Sequence, residues 1–404
     1  TYTKRTREDL DILVAAREHA AVEASCTSGV TNMSALFADT DFDGRIEHWD
    51  VSAVTRMDSL FFAALSFNKP LAAWDVRNVT RMDDMFRLAS RFNQPLGAWD
   101  IRSVTDMTRM FSSALAFNQP IGGWNVRNVT SMRAMFQGAR AFNQPLDAWN
   151  VGSVTTMNSM FALALAFDQP LNAWDVSRVT TMAGMFEGAA AFNQPLDAWD
   201  VGAVTDMSRM FVGASAFNGQ VDRWDVSRVT TMRSMFALAS AFNRPLSGWN
   251  VSAVTDFGSM FQSASAFNQD LSVWCVPDFA VAPTDFATGA TAWVRPRPAW
   301  STCSPISTEQ STVTLTPAVV QGDGVSTIEV MVRVRNHLGL FVSVPSPVLS
   351  LTSQDFGTIG PLTTIGTGWF VATFTAGTSP GIVRLDVQLD GSAKTISAVI
   401  VVTQ

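Results

Sequence analysis

The residues best suited to chemistry lie near the N-terminus, where carboxylates alternate with other residues ahead of a glycine. Asp39, Asp41, Asp43 and Gly44 open the spacing D-x-D-x-D-G-x-I-x-x-x-D, which closes at Asp50. Carboxylates at the first, third, fifth and twelfth positions, with a glycine at the sixth for the sharp turn, can surround Ca²⁺ with oxygen ligands. We therefore predict a calcium site here and no other cofactor. The alternative is structural, because the repeat described below also places residues at Asp43, Gly44 and Asp50.

A polar residue recurs directly after tryptophan along much of the chain and forms a second candidate site. Carboxylates about 5 Å apart repel one another unless water, cations or arginines intervene, so this column is either a solvated ladder that bonds to adjacent turns or a docking face. In the second interpretation, a protein or glycan partner binds the outer side of a parallel sheet. The predicted residues of this face are Asp75, Asp100, Asn125, Asn150, Asp175, Asp200, Asp225, Arg77, Arg102 and Arg127.

Catalytic signatures are missing from the sequence. The only histidines are His19, His48 and His337, and no two of them share a motif. The sequence contains no GxSxG, HExxH, P-loop, GxGxxG or CxxC pattern, so nucleophilic, metal and nucleotide sites lack support. We therefore expect a protein that is not an enzyme.

The composition excludes several classes of partner. The formal net charge is −7 and the pI is near 5.0, so no basic stripe is available for nucleic acid. The longest apolar runs fall far short of the roughly 20 residues that a membrane span needs, so direct membrane insertion is not expected. The sequence begins at Thr1 without a charged and apolar leader, so we expect any signal peptide to have been removed or left out.

Tryptophan marks an internal repeat with a constant period. A fixed period of 20–50 residues is the signature of stacked supersecondary units, each unable to bury its apolar face alone. The tryptophans recur every 25 residues, at Trp49, Trp74, Trp99, Trp124, Trp149, Trp174, Trp199, Trp224, Trp249 and Trp274.

Within one unit, the spacing of apolar residues predicts a strand followed by a helix. The alternation around Trp199 and Val201 is typical of a short strand. Met207, Phe211 and their neighbours then follow the spacing of one helix face, and Thr205 stands where an N-cap would. The sequence therefore predicts an α/β leucine-rich-repeat-like solenoid of about ten coils, with a short parallel strand and a short helix in each.

The ends of the array are predicted to be capped. Residues 1–29 form a helical cap, 30–274 the repeat solenoid and 275–304 a C-terminal cap. Cys275 and Cys303 bracket that last cap, and we predict a disulfide between them; the alternative is two reduced thiols. Cys26 is predicted to be a free thiol.

Residues 305–404 change in composition and predict an all-β domain. Ile328, Val330, Val332 and Val334 alternate with polar residues, and turn signals such as Gly322-Asp323-Gly324 separate the runs. Short strands about every ten residues over about 100 residues favour an immunoglobulin-like β-sandwich.

The repeat pattern FNQPLxxWDVxxVTxMxxMF resembles that of the BspA-like leucine-rich-repeat surface proteins, over roughly residues 30 to 304. The resemblance extends to FNQDLSVWCV in the last coil and to the closing RPAWSTC. It implies secreted or cell-surface display and, in some members, adhesion to host or matrix proteins. It implies no catalytic residues.

The run STVTLTPAVVQGDGVSTIEVMVRVRNHLG is similar to the bacterial immunoglobulin-like domains of the invasin and intimin type. Those modules serve mostly as stalk segments of adhesins, so the resemblance implies spacing and not chemistry. Together, these observations predict an extracellular or cell-surface scaffold or adhesin that binds a protein or glycan. One alternative is a self-assembling subunit of a sheath, appendage or virion. A carbohydrate-active enzyme is a remote third.

Overall fold

The computed structural model describes residues 2–276, 279–300, 307–335, 347–389 and 395–404. The chain divides into two compact units. The first comprises residues 1–274 and 281–297, and the second comprises residues 275–280 and 298–404. The first unit is a stack of 25-residue coils behind a short N-terminal cap, and most of the second is a β-sandwich.

The N-terminal cap is built from two helices and two short strands. Their bounds are Thr3–Lys4 for β1, Arg7–Ala15 for α1, His19–Glu23 for α2 and Ser25–Cys26 for β2, with β1 parallel to β2. Helix α1 begins after Thr6, whose hydroxyl accepts a hydrogen bond from the Asp9 amide at 3.1 Å, while the Asp9 carboxylate accepts one from the Thr6 amide at 2.8 Å. This reciprocal capping box satisfies two amides that a helix start would leave unpaired.

The predicted α/β leucine-rich-repeat solenoid is wrong in its local structure. Among the described residues, α-helix occurs only in α1 and α2, and no coil contains one. The predicted strand around Trp199 and Val201 is also not formed. Neighbouring coils are instead joined by single parallel β-bridges at another position, which runs through Asn32, Arg56, Arg81, Asp106, Ser131, Thr156, Thr181, Asp206, Thr231 and Asp256.

The segment predicted to be helical is a run of turns that bonds to the next coil. The amides of Ser59 and Phe61 donate to carbonyls of the following coil, at 2.8 and 2.9 Å, whereas Leu60 and Phe62 donate within their own coil. Ser59 and Ala63 have φ near +57° and +52°, so the helical path is broken at two positions four residues apart in this coil. Because the buried positions keep the spacing of a helix face, the sequence pattern imitates a helix although the backbone is not helical.

The threonine column also differs from its predicted role as a series of helix N-caps. The Thr80 amide and hydroxyl both donate to the Thr55 carbonyl of the preceding coil, at 2.9 and 3.1 Å. The same pair of bonds recurs along the stack as far as Thr255. Threonine therefore joins neighbouring coils and caps no helix.

Aromatic side chains form the centre of the stack. Phe86 and Phe111 are fully buried and stack with ring centroids 5.5 Å apart, and Trp74 stacks on Trp99 at 6.5 Å with the ring planes 2° apart. Each indole N–H from Trp74 to Trp274 donates to a carbonyl of the preceding coil, at 2.8–3.1 Å. A buried indole N–H needs such a partner, so the bond specifies the register between coils.

A second column of side chains, which we call the Asn column, joins neighbouring coils. It contains Asp43, Asn68, Asn93, Asn118, Asn143, Asp168, Asn193, Asn218, Asn243 and Asn268. The Asn143 carbonyl oxygen Oδ1 accepts hydrogen bonds from the Asp168 amide at 3.0 Å and from Gln169 Nε2 at 2.9 Å. Asp168 does the same for Asn193 and Gln194 of the following coil. The FNQP motif therefore joins neighbouring coils through side-chain hydrogen bonds as well as forming a turn.

The regular stacking ends at aromatic rings that are turned edge-on. Trp293 follows Phe267 in the stack, and the two rings lie 4.7 Å apart at 84°. Two short strands, β3 (Cys275–Val276) and β4 (Ala299–Trp300), pair in parallel near this end of the sequence. The predicted disulfide lies outside the described residues, since Cys303 and the side chain of Cys275 are not among them, and it stays a prediction. Cys26 is a free thiol.

The C-terminal domain is a sandwich of two sheets. Its strands are β5 (Ser307–Thr316), β6 (Val319–Gln321), β7 (Thr327–Arg335), β8 (Val348–Leu351), β9 (Gly357–Ile359), β10 (Thr363–Gly366), β11 (Trp369–Ala376), β12 (Gly381–Gln388) and β13 (Thr395–Thr403). One sheet has the order β10-β11-β7-β5, with β9 also on β11, and the other has the order β6-β13-β12-β8. All described pairings in the two sheets are antiparallel except β6 with β13.

The sandwich core follows the alternation seen in the sequence. Ile328, Val330, Val332 and Val334 of β7 are fully buried, as are alternate residues of β12. The predicted immunoglobulin-like sandwich fits the structure.

Candidate binding surface

The column of residues that follows tryptophan lies on turns at the coil surface. Each side chain accepts a hydrogen bond from the amide two residues ahead, as Asp200 does from Gly202 at 3.0 Å and Asn150 from Gly152 at 3.2 Å. From Asn125 to Asp225 the column is exposed, whereas Asp75 and Asp100 are half-buried. The predicted sheet face is thus a ladder of capped turns, which we call the Asx column (Asp75, Asp100, Asn125, Asn150, Asp175, Asp200 and Asp225).

Charge divides the Asx column into two halves. Arg77 and Arg102 donate to Asp75 and Asp100 of their own coils at 2.8 and 2.9 Å, so the early coils are neutralised. The Arg127 amide bonds only weakly to Asn125, at 3.4 Å, and its guanidinium is exposed. Asp175, Asp200 and Asp225 form no ion pair within the described residues, so the later coils present carboxylates without a directly bound cation.

Local hydrogen bonds favour the ionised form of Asp175 and Asp100. The Ser177 hydroxyl, which donates to Asp175 at 2.6 Å, lowers the pKa of that carboxyl, with help from the Ser177 amide. The Arg102 guanidinium likewise lowers the pKa of Asp100. A carboxylate that accepts several such bonds is stabilised in its charged form.

Three of the four carboxylates in the predicted calcium loop, Asp41, Asp43 and Asp50, have separate partners. Asp41 lies 3.3 Å from Arg17 and 3.6 Å from His19, and Asp43 accepts the Asn68 amide at 2.9 Å, as the Asn column does. Asp39 has φ near +55°, at the position of Ala63 in the next coil, and Asp50 caps the turn at Ser52. Within the described residues, no three carboxylate, imidazole or thiol groups lie close enough to share a metal ion. Calcium binding stays a prediction, which a calcium titration followed by thermal unfolding would test.

Sequence reasoning missed the residues that link coils through their side chains. The sequence predicted no contact for Asn143 and its equivalents, and it predicted only an N-cap role for threonines such as Thr205. The available signal was their strict period, because a turn position tolerates several residue types, whereas Asn or Asp recurs at this position in every coil from Asp43 to Asn268.

Both units of the chain match known protein families. Three overlapping matches to the family described as "Mycoplasma protein of unknown function, DUF285" cover residues 11–124, 115–204 and 194–292, which is more than half of the chain. The chain belongs to this DUF285 family. The resemblance to BspA-like surface repeats is confirmed at the level of this repeat family, but its leucine-rich-repeat component is not.

The second unit of this DUF285 chain matches a different family. Residues 307–404 match the family described as "Invasin, domain 3", which confirms the resemblance to invasin-type domains. No curated protein matches the chain. No helix among the described residues has the length and apolar character needed to span a membrane.

Solved structures of two Yersinia pseudotuberculosis proteins are similar to part of the DUF285 chain. The adhesin InvE is 30% identical over 24% of this chain and 27% of its own, with a TM-score of 0.23. InvD is 29% identical over 24% of this chain and 28% of its own, with a TM-score of 0.23. The chain thus spans about a quarter of the length of each of these structures.

Proposed function

We propose that this protein is a binding module displayed outside the cell or on its surface, in which the repeat stack binds a protein or glycan. The invasin domain 3 in the same chain supports an adhesin-type role and acts as a spacer. The Asx column of the stack supplies the contact surface. The structural observation that carries the proposal is a column of similar acceptor side chains, each held by a hydrogen bond from its own turn.

The half of the Asx column that lacks ion pairs favours a partner with complementary charge or hydrogen-bond donors. Asp175, Asp200 and Asp225 occupy successive coils, so a partner that spans several coils would contact all three. Because the side chains are already fixed by their turns, little rotamer entropy is lost on binding. A repeated weak contact then adds up over several coils, as expected for multivalent surfaces.

The experiment tests binding with and without these charges. Fluorescently labelled protein is applied to immobilised matrix proteins and to a glycan array, and the triple variant Asp175→Asn, Asp200→Asn, Asp225→Asn is compared with the wild type. Asparagine preserves the turn hydrogen bond, since Asn125 and Asn150 already occupy this column. We expect the variant to lose most of the binding while its unfolding temperature stays within a few degrees of the wild type.

A matched control removes three charges from another column of the same stack. Asp106, Asp206 and Asp256 lie on the column of β-bridges, and each accepts the amide two residues ahead at 2.8–2.9 Å. The variant Asp106→Asn, Asp206→Asn, Asp256→Asn should therefore bind like the wild type. Equal binding by all three proteins would reject the Asx column as the contact surface.

Self-assembly into a sheath, appendage or virion is the alternative proposal, because a repeated surface also suits contacts between copies. Sedimentation velocity at high protein concentration separates the two. A strict monomer with a bound partner favours the adhesin, and concentration-dependent polymers without one favour the assembly. The proposal includes no catalytic step: His48 stacks on Tyr2 at 4.1 Å, and His19 contacts Phe42 and Asp41.

A further inference from the structure

A basic cavity lies in the N-terminal cap, away from the Asx column. It has a volume of about 320 Å³ and is lined by residues 4–7, which run from the end of β1 to the first residue of α1, and by residues 28–32, which lead into the first coil. Three of its nine lining residues are cationic: Lys4, Arg5 and Arg7. The cavity therefore has a local positive charge, although the net charge of the whole chain is −7.

Two of the three cations have no carboxylate partner. Within the described residues, Lys4 and Arg5 form no ion pair, whereas Arg7 pairs with Asp11 at 2.9 Å and donates to the Asn32 carbonyl at 3.2 Å. The Nε atom of Arg5 is buried and has no hydrogen-bond partner. Buried guanidinium donors are normally paired, so this one calls for an acceptor that the described residues do not supply.

The carboxylates around the cavity are already engaged. Asp9 accepts the Thr6 amide at 2.8 Å, Asp11 binds Arg7, and Asp50 accepts the amide and hydroxyl of Ser52. Glu8, in the first turn of α1, is exposed. These groups reduce the positive potential without supplying an acceptor to Arg5 Nε.

The walls of the cavity add neutral donors beside the cations. Thr6 and Thr31 contribute hydroxyl groups and Asn32 contributes an amide, whereas the Ser28 hydroxyl is engaged by Cys26 Sγ at 3.4 Å and by Asp50. At Gly29, with φ near +90°, a Cβ atom would meet nothing within 4 Å, so the backbone lies open to an approaching ligand. A cavity that combines unpaired cations with hydroxyl donors is suited to a tetrahedral or planar oxyanion.

We propose that this cavity binds one oxyanion group, as sulfate, as phosphate or as the sulfate ester of a glycan. Arg5 and Lys4 supply the charge-assisted hydrogen bonds, and Arg7 fixes the cavity wall through Asp11 and the Asn32 carbonyl. The site is separate from the Asx column and goes beyond the function proposed above. A ligand in this cavity would be recognised by its negative charge. A partner on the Asx column would instead face carboxylates.

The test titrates inorganic sulfate into the full chain at constant ionic strength, with chloride as the balancing ion, and follows binding by calorimetry. Lys4→Gln and Arg5→Gln are each expected to weaken sulfate binding about tenfold, the size of one charge-assisted hydrogen bond. Arg223→Gln, which removes an exposed charge with no ion pair in the described part of the stack, should leave it unchanged. Equal affinity in all four proteins, or no saturable binding in the wild type, would overturn the proposal.

A second arm identifies the source of the oxyanion. A sulfated heparin tetrasaccharide and its desulfated form are titrated in the same way, and a gain of tenfold or more over free sulfate indicates a glycan ester. If the sulfated sugar binds no better than inorganic sulfate, the site takes the free ion. Should Arg5→Gln fail to fold, Lys4→Gln still decides the question, because Lys4 is exposed. Loss of partner binding in the Asx variant would not affect either titration.

Discussion

At the scale of the residue, one hydrogen bond from each tryptophan fixes the register between neighbouring coils. Trp149 donates its indole N–H to the Ile121 carbonyl at 3.1 Å, and that carbonyl also accepts the Trp124 amide. Trp49 in the first coil has no preceding coil, and its buried indole nitrogen has no partner within the described residues. The two tryptophans therefore differ by one hydrogen bond, and Trp149 also stacks on the rings of Trp124 and Trp174, whereas Trp49 contacts the Phe37 ring.

Replacement of Trp149 by phenylalanine should destabilise the protein more than the same change at Trp49. Both variants lose some of the packing, but only Trp149→Phe loses a hydrogen bond, which contributes about 1 kcal/mol. Urea unfolding of both variants measures the difference. A loss at Trp49 equal to that at Trp149 would show that the indole N–H bond contributes nothing.

The Asn column makes a sharper prediction because the chain contains its own conservative variant. Asn143→Ala leaves the Asp168 amide and Gln169 without their acceptor, and should cost about 2 kcal/mol of unfolding free energy. Asn143→Asp should cost far less, since Asp168 accepts the equivalent hydrogen bonds in the following coil. Thermal and urea unfolding compare the two, and equal losses would contradict the role of the Oδ1 acceptor.

Acid sensitivity is expected at Asp323 in the turn before β7. The Ser326 hydroxyl and the amides of Ser326 and Val325 lower the pKa of this carboxyl to about 2. The folded pKa lies below the unfolded value of about 3.9, so the stabilisation is complete above that value and is lost as the pH falls through about 2. Asp323→Asn should flatten the dependence of the unfolding temperature on pH between about 4 and 2. An unchanged profile would contradict the assignment.

At the scale of the element, the coils depend on residues in the left-handed region. Two positions in each coil have positive φ, and most are occupied by residues other than glycine. The first column contains Ser59, Asp84, Arg109, Ala134, Ser159, Gly184, Arg209, Ser234 and Ser259, and the second contains Ala63, Leu88, Ser113, Gly138, Leu163, Gly188, Gly213, Leu238 and Ser263. A left-handed residue other than glycine costs roughly 1–2 kcal/mol, so the stack carries local strain that packing outweighs.

Relief of this strain should stabilise the protein. Leu238 has φ near +61° and is 56% exposed, so Leu238→Gly removes a strained residue and little packing. After the extra entropy of glycine in the unfolded chain, the expected gain is about 0.5–1 kcal/mol. Leu65→Gly is the control, because Leu65 is 57% exposed without positive φ and should lose stability. A loss of stability in both variants would argue against strain at Leu238.

The same columns explain how far the sequence could predict the coil. The buried positions Met207, Phe211 and Ala214 could be inferred from their spacing, and they are buried. The backbone could not, because a run of turns with inward residues at these positions gives the same apolar pattern as a helix. Glycines at Gly138, Gly188 and Gly213, all in one column, were the signal for left-handed geometry. In the sandwich, alternation specifies the strand directly, so β7 was predictable from Ile328 to Val334.

For the candidate site, the sequence predicted which residues repeat but not what they contact. Asp75 and its equivalents are at the surface, yet their turn hydrogen bonds depend on a backbone that had been taken for a strand. The basic cavity was missed because Lys4 and Arg5 belong to one end of the cap and Ser28 to the other, and only the pairing of β1 with β2 brings them together.

The repeat stack as a whole should tolerate loss of a complete coil. In the regular region of the stack, hydrogen bonds between coils join nearest neighbours, and removal of residues 192–216 joins Ala191 to Phe217 in the normal register. We expect this variant to fold with a modestly lower unfolding temperature, as nearest-neighbour energetics requires. Removal of residues 192–211 deletes less than one complete repeat, so it breaks the register between coils. This variant should not show a cooperative unfolding transition. Circular dichroism and scanning calorimetry distinguish these outcomes, and failure of both deletions to fold would indicate longer-range coupling.

The tryptophan bond to the previous coil has an evolutionary consequence. Since each junction repeats the one before it, an unequal crossover in the gene that adds or removes 25 codons introduces no new kind of contact. The number of coils can therefore drift between related strains while each remaining one keeps its surface chemistry. Such a lineage could change how many ligand contacts it offers without inventing a new one.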